Sequence, residues 1–105
     1  EQAANKAKQY QQALDDIQAA IDHNPKEMLY RVEQGAMNLR VGRVDTAVKQ
    51  LEEAIKIDPK YAEVYRILGL CQIEQKKKEE ACANFAKAKE LGDENAQAMI
   101  DKYCK

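Results

Sequence analysis

The sequence predicts an all-α protein built from repeated pairs of helices. Strong helix formers, chiefly Ala, Lys, Glu and Gln, are abundant among its 105 residues, while β-branched residues are sparse. Only two Pro and four Gly are present to interrupt helices. Several residues also recur at intervals of 34, a spacing typical of stacked helix-pair units. The recurring sets are Ala13, Ala47 and Ala81; Ile17, Leu51 and Phe85; Ala20, Ala54 and Ala88; Pro25 and Pro59; and Gly35 and Gly69.

The first unit is incomplete. Residues 1–25 hold the second helix of a pair, because their apolar positions and Pro25 are in register with those of the later units. The first helix of this pair is cut short, and residues 1–7 represent it at most. Because the chain begins at Glu1 without an initiator Met, we expect it to be a processed or trimmed piece of a longer product.

The second unit spans residues 28–61. One helix is predicted over 29–41 and another over 45–57. Gly42 separates them, since glycine tolerates the positive φ at which many helices end. Pro59 ends the second helix, because the residue before a proline is disfavoured in the α region.

The third unit, residues 62–93, repeats this plan, with helices predicted over 62–74 and 79–91 and a lysine turn at 76–78. Gly92 and Asp93 then break the last helix, and Asp93 offers a side chain that can cap the next one. Residues 94–105 are predicted to form a capping helix over 95–104. Such a helix would cover the last apolar face, as the ends of stacked repeats require.

Two glycines lie inside predicted helices. Gly35 and Gly69 each cost about 1 kcal/mol relative to Ala at such positions. This cost indicates that helix backbones approach closely there, with Ala47 and Ala81 as small partners on the second helices. Leu51 and Phe85, one turn further on, are expected to wedge into each helix pair.

These residues carry a family resemblance. The third unit resembles a tetratricopeptide repeat (TPR) at Tyr65, Leu68, Gly69, Ala81, Phe85 and Ala88, and the second unit matches the same pattern at Gly35, Ala47, Leu51, Ala54 and Pro59. The departures are Arg31 for an aromatic residue, Gln34 for Leu, Asn38 and Gln72 for Tyr, and Asp93 for the closing proline. The resemblance implies a right-handed α–α superhelix, with about 2.5 repeats at the 34-residue period and a C-terminal capping helix.

The resemblance also implies a binding groove along the first helices, which take up extended peptides or partner helices in this family. The matching residues are Leu29, Val32, Glu33, Ala36, Leu39 and Arg40 in the second unit, and Glu63, Arg66, Ile67, Leu70, Ile73 and Glu74 in the third. Aliphatic anchors with Arg40 and Arg66 as orienting charges would suit a peptide. The alternative is an ordinary solvated helix face.

One known use of this groove is not expected. Family members that bind chaperones hold a C-terminal carboxylate with Lys and Asn side chains on the inner helices. At the matching positions this chain has Val32, Ala36, Arg66 and Leu70. A single arginine does not make such a clamp.

The three cysteines are placed by the same resemblance. Cys82 and Cys104 stand one full repeat after Val48 and Leu70, which would meet where one repeat packs on the next. The resemblance therefore implies a disulfide between Cys82 and Cys104, with small buried hydrophobic residues as the alternative. Cys71 is expected to be a buried free thiol.

The expected cellular compartment depends on whether that disulfide forms. The chain's ending resembles bacterial, exported repeat proteins, and a periplasmic or other extracytoplasmic location would follow if the bond forms. A cytoplasmic location is expected otherwise. No metal site is expected, because no close pair of cysteines exists and His23 stands alone, and no cofactor is expected either.

The composition and the motifs argue against several classes of function. Lys and Arg number 17 against 18 Asp and Glu, so no basic excess is available for nucleic acid. No apolar run reaches the roughly 20 residues of a membrane helix, so membrane insertion by this segment is not expected. No nucleophile or acid–base constellation indicates an enzyme.

Two functions remain. The first is a protein-interaction module that binds a protein or peptide partner in the groove. The second is a structural spacer or self-associating segment of a longer helical-repeat protein. A homodimer could form through the incomplete first repeat, where Ile17, Ile21 and Tyr30 would expose apolar surface.

Overall fold

A computed structural model describes residues 2–105, with the side chains of residue 6 and of residues 8–105. The described residues form six helices: α1 Gln2–His23, α2 Met28–Arg40, α3 Val44–Ile57, α4 Ala62–Glu74, α5 Lys78–Glu90 and α6 Ala96–Tyr103. The all-α class is confirmed. The bounds of α2 to α5 agree closely with the sequence prediction, because glycine, proline and the repeat period mark them.

α1 differs from the expectation for residues 1–7. The sequence allowed these residues to represent the first helix of a pair. Residues 2–7 instead continue into α1, which runs to His23 without a break. Glu1 lies outside the described residues. The helix therefore has the register of a second helix, and it packs on α2.

The helices form two rows. α2 pairs with α3 and α4 pairs with α5, and each pair packs on the next through α3 and α4 and through α5 and α6. α2 contacts α4, and α4 contacts α6, whereas α1, α3 and α5 do not contact one another within the described residues. The array therefore curves, with α2, α4 and α6 on its inner side. The main core consists of Met28, Val32, Ala47, Leu51, Ala54, Val64, Ile67, Leu68 and Cys71.

The helices approach each other closely at the two internal glycines. The contacts there are chiefly with large side chains of the partner helix. A Cβ at Gly35 would lie 2.6 Å from Cδ2 of Leu51, and one at Gly69 would lie 2.6 Å from Cε1 of Phe85. Leu51 and Phe85 are fully buried. Each glycine therefore leaves the space into which the partner helix inserts its largest residue, and Ala81 contributes only its backbone oxygen, at 3.1 Å from the Gly69 position.

Three helices end in the same way. Gly42, Lys76 and Gly92 have φ values of +87°, +62° and +101°. In each case the backbone N–H of the following residue donates to a carbonyl oxygen of the preceding helix. These hydrogen bonds run from Arg43 to Asn38, from Lys77 to Gln72 and from Asp93 to Ala88, at 2.8–2.9 Å. This is the bonding of a Schellman cap, which favours glycine at the residue with positive φ. Lys76 occupies that position without being a glycine.

Arg31 stands where the family pattern has an aromatic residue, yet it makes the same hydrogen bond as the aromatic residue one repeat later. Arg31 Nε donates to the carbonyl oxygen of Pro25 at 2.8 Å. One repeat later, the hydroxyl of Tyr65 donates to the carbonyl oxygen of Pro59 at 2.6 Å. The two donors occupy equivalent positions of successive repeats, and so do the two acceptors. Arginine thus replaces the usual aromatic residue and keeps its contact.

The remaining polar departures are paired as well. Asn38 Nδ2 donates to Gln50 Oε1 at 2.7 Å, and Asn84 Nδ2 donates to Gln72 Oε1 at 2.6 Å. These pairs occupy equivalent positions, with Asn and Gln exchanged between the two helices. Gln34 donates from Nε2 to Oε1 of Gln18 on α1 at 2.6 Å. Polar side chains therefore pack the first helix of the middle repeat where the family uses Leu and Tyr.

Candidate interaction surface

The inner side of α2 presents much of the predicted groove. Leu29 is 47% exposed, and Arg40 is exposed as well. Glu33 is exposed, whereas Ala36 and Leu39 have intermediate exposure and pack against the core. Val32, predicted to line the groove, is buried within the core cluster. The neighbouring helices cover this side chain in the free domain, and its role in the groove stays a prediction.

A concavity of about 200 Å³ lies between α1 and α2. It is lined by Ile17, Glu33, Ala36, Met37 and Arg40. Three of these residues, Glu33, Ala36 and Arg40, are predicted from the sequence. Ile17 and Met37 are missed by that prediction, although the repeat offers a signal, since they are the equivalents of the fully buried Leu51 and Cys71.

The inner side of α4 is less open. Ile67, which is predicted in the groove, belongs to the buried core cluster, and its role in the groove stays a prediction as for Val32. Leu70 and Ile73 are half-buried, and Glu74 is exposed. Contact with α2 on one side and α6 on the other explains the greater burial of this helix.

Arg66 does not offer a free cation. Its Nε donates to Asp93 Oδ2 at 2.8 Å, and its terminal nitrogen lies 3.4 Å from Glu63 Oε1. The side chains of Arg66 and Asp93 are only 15% and 6% exposed. Asp93 Oδ1 also accepts the backbone N–H of Asn95 at 2.8 Å. Asp93, which replaces the closing proline, thus joins α4 to the turn before α6. It also binds Arg66, the arginine predicted to orient a peptide.

The capping helix is joined to α5 by a disulfide. Cys82 and Cys104 are bonded, with their Cα atoms 5.9 Å apart. The rings of Tyr103 and Phe85 stack beside this bond, with centroids 6.0 Å apart. Cys71 is free and buried, and burial raises the pKa of its thiol to about 11. A thiol in that state is a poor nucleophile, because the reactive thiolate is disfavoured.

A second depression lies on the outer side and has no counterpart in the sequence prediction. It has a volume of about 330 Å³ and is lined by Gln18, Ile21, Asp22, Pro25, Arg31, Gln34, Gln50 and Glu53. Several of its polar residues are already bonded, as Gln34 is to Gln18 and Arg31 is to Pro25. This depression therefore follows from the polar packing of the middle repeat.

Two further findings apply to the described part of the chain. Residues 2–105 contain no cluster of three or more His, Cys, Asp or Glu side chains that could hold a metal ion. Among their helices, none combines the length and apolar character needed to cross a membrane.

Comparison with known proteins agrees with this architecture. Residues 40–76 match the TPR repeat family. Small glutamine-rich tetratricopeptide repeat-containing protein 2 of Saccharomyces cerevisiae is 35% identical over 97 residues, which are 91% of this chain and 28% of the yeast protein. The curated relatives, which also include proteins of Dictyostelium discoideum and Homo sapiens, are eukaryotic, so they give no support to a bacterial origin.

Solved structures share the whole fold. The Arabidopsis OM64 TPR domain has a TM-score of 0.83 and 25% identity, and the match covers 98% of this chain and 87% of that one. The first TPR of Spaghetti (RPAP3), bound to the HSP90 peptide SRMEEVD, has a TM-score of 0.81 and 19% identity, with coverage of 98% and 83%. The family match over residues 40–76, the 34-residue repeats and the shared fold together show that the chain is a TPR-like helical domain, and domains of this kind are non-catalytic protein–protein interaction modules.

Proposed function

We propose that this domain binds a peptide or helix of a partner protein on the inner side of α2 and α4, chiefly at the concavity between α1 and α2. The observation that carries the proposal is the lining of that concavity. Ile17, Ala36 and Met37 supply apolar surface, and the charged Glu33 and Arg40 stand beside it. Apolar anchors bordered by charge are the usual anatomy of a specific interface.

The chemistry favours apolar anchoring over capture of a carboxylate. The RPAP3 domain binds an HSP90 peptide, and that property belongs to that protein. In this chain the side chains of Val32, Ala36 and Leu70, at three of the four clamp positions, have no hydrogen-bond donor. Arg66, at the fourth, is bonded to Asp93, so these positions do not form a carboxylate clamp. Arg40 remains exposed and is the cation available to orient an acidic residue of the partner.

The proposal is tested by affinity capture from the native source, with captured proteins identified by mass spectrometry. Arg40→Glu reverses the charge beside the concavity. Lys56→Glu makes the same change at an exposed position of α3, on the outer row, and is the matched control. Arg66 is left unchanged because its loss would leave the buried Asp93 carboxylate without its cation.

We expect wild type and Lys56→Glu to retain the same partner and Arg40→Glu to lose it, with unchanged helical circular dichroism in all three proteins. Retention of the same partners by Arg40→Glu, or of none by wild type, would show that this surface does not bind a partner.

A second candidate is self-association or a spacer role within a longer helical-repeat protein. Partial exposure of Ala13, Ile17 and Ala20 on α1 favours it, because the equivalent residues of α3 and α5 are fully buried. Light scattering after size exclusion distinguishes the two forms of this idea. A concentration-dependent dimer that Ile17→Glu abolishes would support self-association through α1, and a monomer at high concentration would leave only the spacer.

The disulfide supports a proposal about compartment. A bond between Cys82 and Cys104 persists outside the reducing cytosol, which favours an extracytoplasmic location for the domain. The periplasm, which the resemblance to bacterial exported proteins implies, is one such location. The eukaryotic relatives offer no support for a bacterial origin. Rapid alkylation of thiols in the native source tests it, since an exported domain should react at Cys71 alone, and only after denaturation.

A further inference from the structure

The two complete repeats place different charges on the inner side of the array. On α2 the charged groove residues are Glu33 and Arg40, which are both exposed and have opposite signs. On α4 the equivalents of Leu29 and Arg40 are Glu63 and Glu74. An apolar residue and a cation on one inner helix are thus replaced by two carboxylates on the next.

Arg66 does not offset these carboxylates. Its guanidinium bonds Asp93 at 2.8 Å and lies 3.4 Å from Glu63, so one positive charge faces two negative ones. Asp93 is also held from the other side, because its second oxygen accepts the backbone N–H of Asn95 at 2.8 Å. The cluster therefore keeps a net negative charge, and Glu63 is its most open member, with a side chain that is 39% exposed.

The pairing of Arg66 with Asp93 belongs to the third unit alone. In the second unit the equivalent residues are Val32 and Pro59, and neither is charged. The cation and the carboxylate that neutralises it are therefore both absent from one repeat and both present in the next. Asp93 sets the charge of the inner side of α4, because without it Arg66 would balance Glu63.

Apolar side chains lie between the charged positions of α4. Leu70 and Ile73 are half-buried, and they follow Glu63 along the helix toward Glu74. α4 contacts α2 on one side and α6 on the other within the inner row. Because repeats contact only their neighbours along an array, a further repeat would pack beyond α1 or α6 and would not cover this side of α4. The openness of this surface does not depend on where the array ends.

We infer that the partner segment carries basic residues where it lies against α4, opposite Glu63 and Glu74, and an acidic residue where it lies against α2, opposite Arg40. This inference rests on the function proposed above and specifies the charge and the direction of the bound segment. The reversed segment would place like charges together, which is costly at an interface. Asp93 is a specificity-determining residue, because it neutralises Arg66 and so excludes acidic groups from α4.

The probe is a phage-displayed library of random dodecapeptides, screened on the immobilised 105-residue chain. Enriched peptides are synthesised with a fluorescent label, and their binding to wild type and variants is measured by fluorescence anisotropy. We expect the peptides enriched on wild type to carry basic and acidic residues together, with an excess of basic ones. Amide chemical shifts on binding should change chiefly in α2 and α4.

Chain variants provide the second arm. Glu74→Lys should weaken these peptides about tenfold, because it replaces the attraction of an exposed pair by a repulsion of similar size. Glu52→Lys makes the same change at an exposed position of α3, on the outer row, and should leave binding unchanged.

Asp93→Asn tests the specificity directly. It retains the oxygen that accepts the N–H of Asn95 and removes the charge that neutralises Arg66. A screen on this variant should enrich acidic peptides, with helical circular dichroism unchanged. If Asp93→Asn loses helicity, the comparison of Glu74→Lys with Glu52→Lys decides the inference.

Three results would overturn the inference. The first is enrichment of acidic peptides on wild type, or equal binding of the peptides by wild type and Glu74→Lys. The second is a concentration-dependent dimer that Glu74→Lys dissociates, because a second copy would then be the occupant. The third is a longer form of the polypeptide that binds the peptides only after its added residues are removed, since its own chain would then cover α4.

These outcomes are distinct from failure of the proposed function. If wild type enriches peptides that Arg40→Glu no longer binds, but the peptides lack basic residues, the inner surface binds partners and only the charge inference fails. If no peptide is enriched, or if Arg40→Glu binds the enriched peptides as wild type does, the proposed function fails and the inference fails with it.

Discussion

Reduction of the Cys82–Cys104 disulfide should lower the free energy of unfolding by about 3 kcal/mol, since the bond joins positions with a sequence separation of 22 and restricts the unfolded chain accordingly. In a domain of this size each kcal/mol corresponds to roughly 4–8 °C in Tm. The expected decrease is therefore about 12–24 °C. α6 should be the first element to separate, because it is short and packs chiefly on α5.

Thermal unfolding followed by far-ultraviolet circular dichroism, with and without a phosphine reductant, measures this effect. Thiol titration in denaturant verifies the redox states, with one free thiol expected in the oxidised chain and three after reduction. Cys71→Ala should respond to the reductant as wild type does. The Cys82→Ala/Cys104→Ala variant should not respond, and it should melt near reduced wild type. A difference below about 3 °C between oxidised and reduced wild type would refute the chain-entropy reasoning.

Three further predictions concern the described packing. Asn38→Gln should destabilise the domain by about 1–2 kcal/mol, because the position is 3% exposed, and adding Gln50→Asn should restore most of the loss. Urea denaturation tests this, and a double variant no better than the single one would contradict it. Lys76→Gly should stabilise by about 1 kcal/mol because φ is +62°, and Lys76→Val should destabilise; equal urea midpoints would show that the turn is unstrained. Burial raises the pKa of Cys71 to about 11, above the ordinary value of about 8.5, so the folded state retains the proton longer. Stability should be unaffected below about pH 8.5 and fall as pH rises toward 11, relative to Cys71→Ala, and parallel pH profiles of the two proteins would oppose this.

The helix plan could be predicted because it depends on local residues. Gly42 and Pro59 mark helix ends by their backbone preferences, and the repeat period extends each assignment to the next unit. The groove was harder to assign. Helical periodicity identifies the inner side of α2, but the angle at which α3 and α4 approach decides that Val32 is covered and Glu33 is not.

The polar departures from the family pattern carry information about side-chain pairing that comparison with the family pattern alone does not reveal. Compared with the family, Asn38 and Gln72 are simply missing tyrosines. Compared with each other, they belong to two amide pairs with the same sequence separation, in which Asn and Gln change places. The bond from Arg66 to Asp93 had no such signal, because its partners are distant in the sequence and occur in one repeat only.

The exchanged amide pairs have a consequence for folding fidelity. Neighbouring repeats with similar sequences can misassemble by pairing a helix with the wrong partner. If α2 paired with α5, Asn38 would face Asn84, and two short side chains would leave a gap. If α4 paired with α3, Gln72 would face Gln50, and two long ones would collide. Because only the native pairing joins a short amide to a long one, the exchange discriminates against swapped helices in a chain whose apolar positions hardly distinguish them.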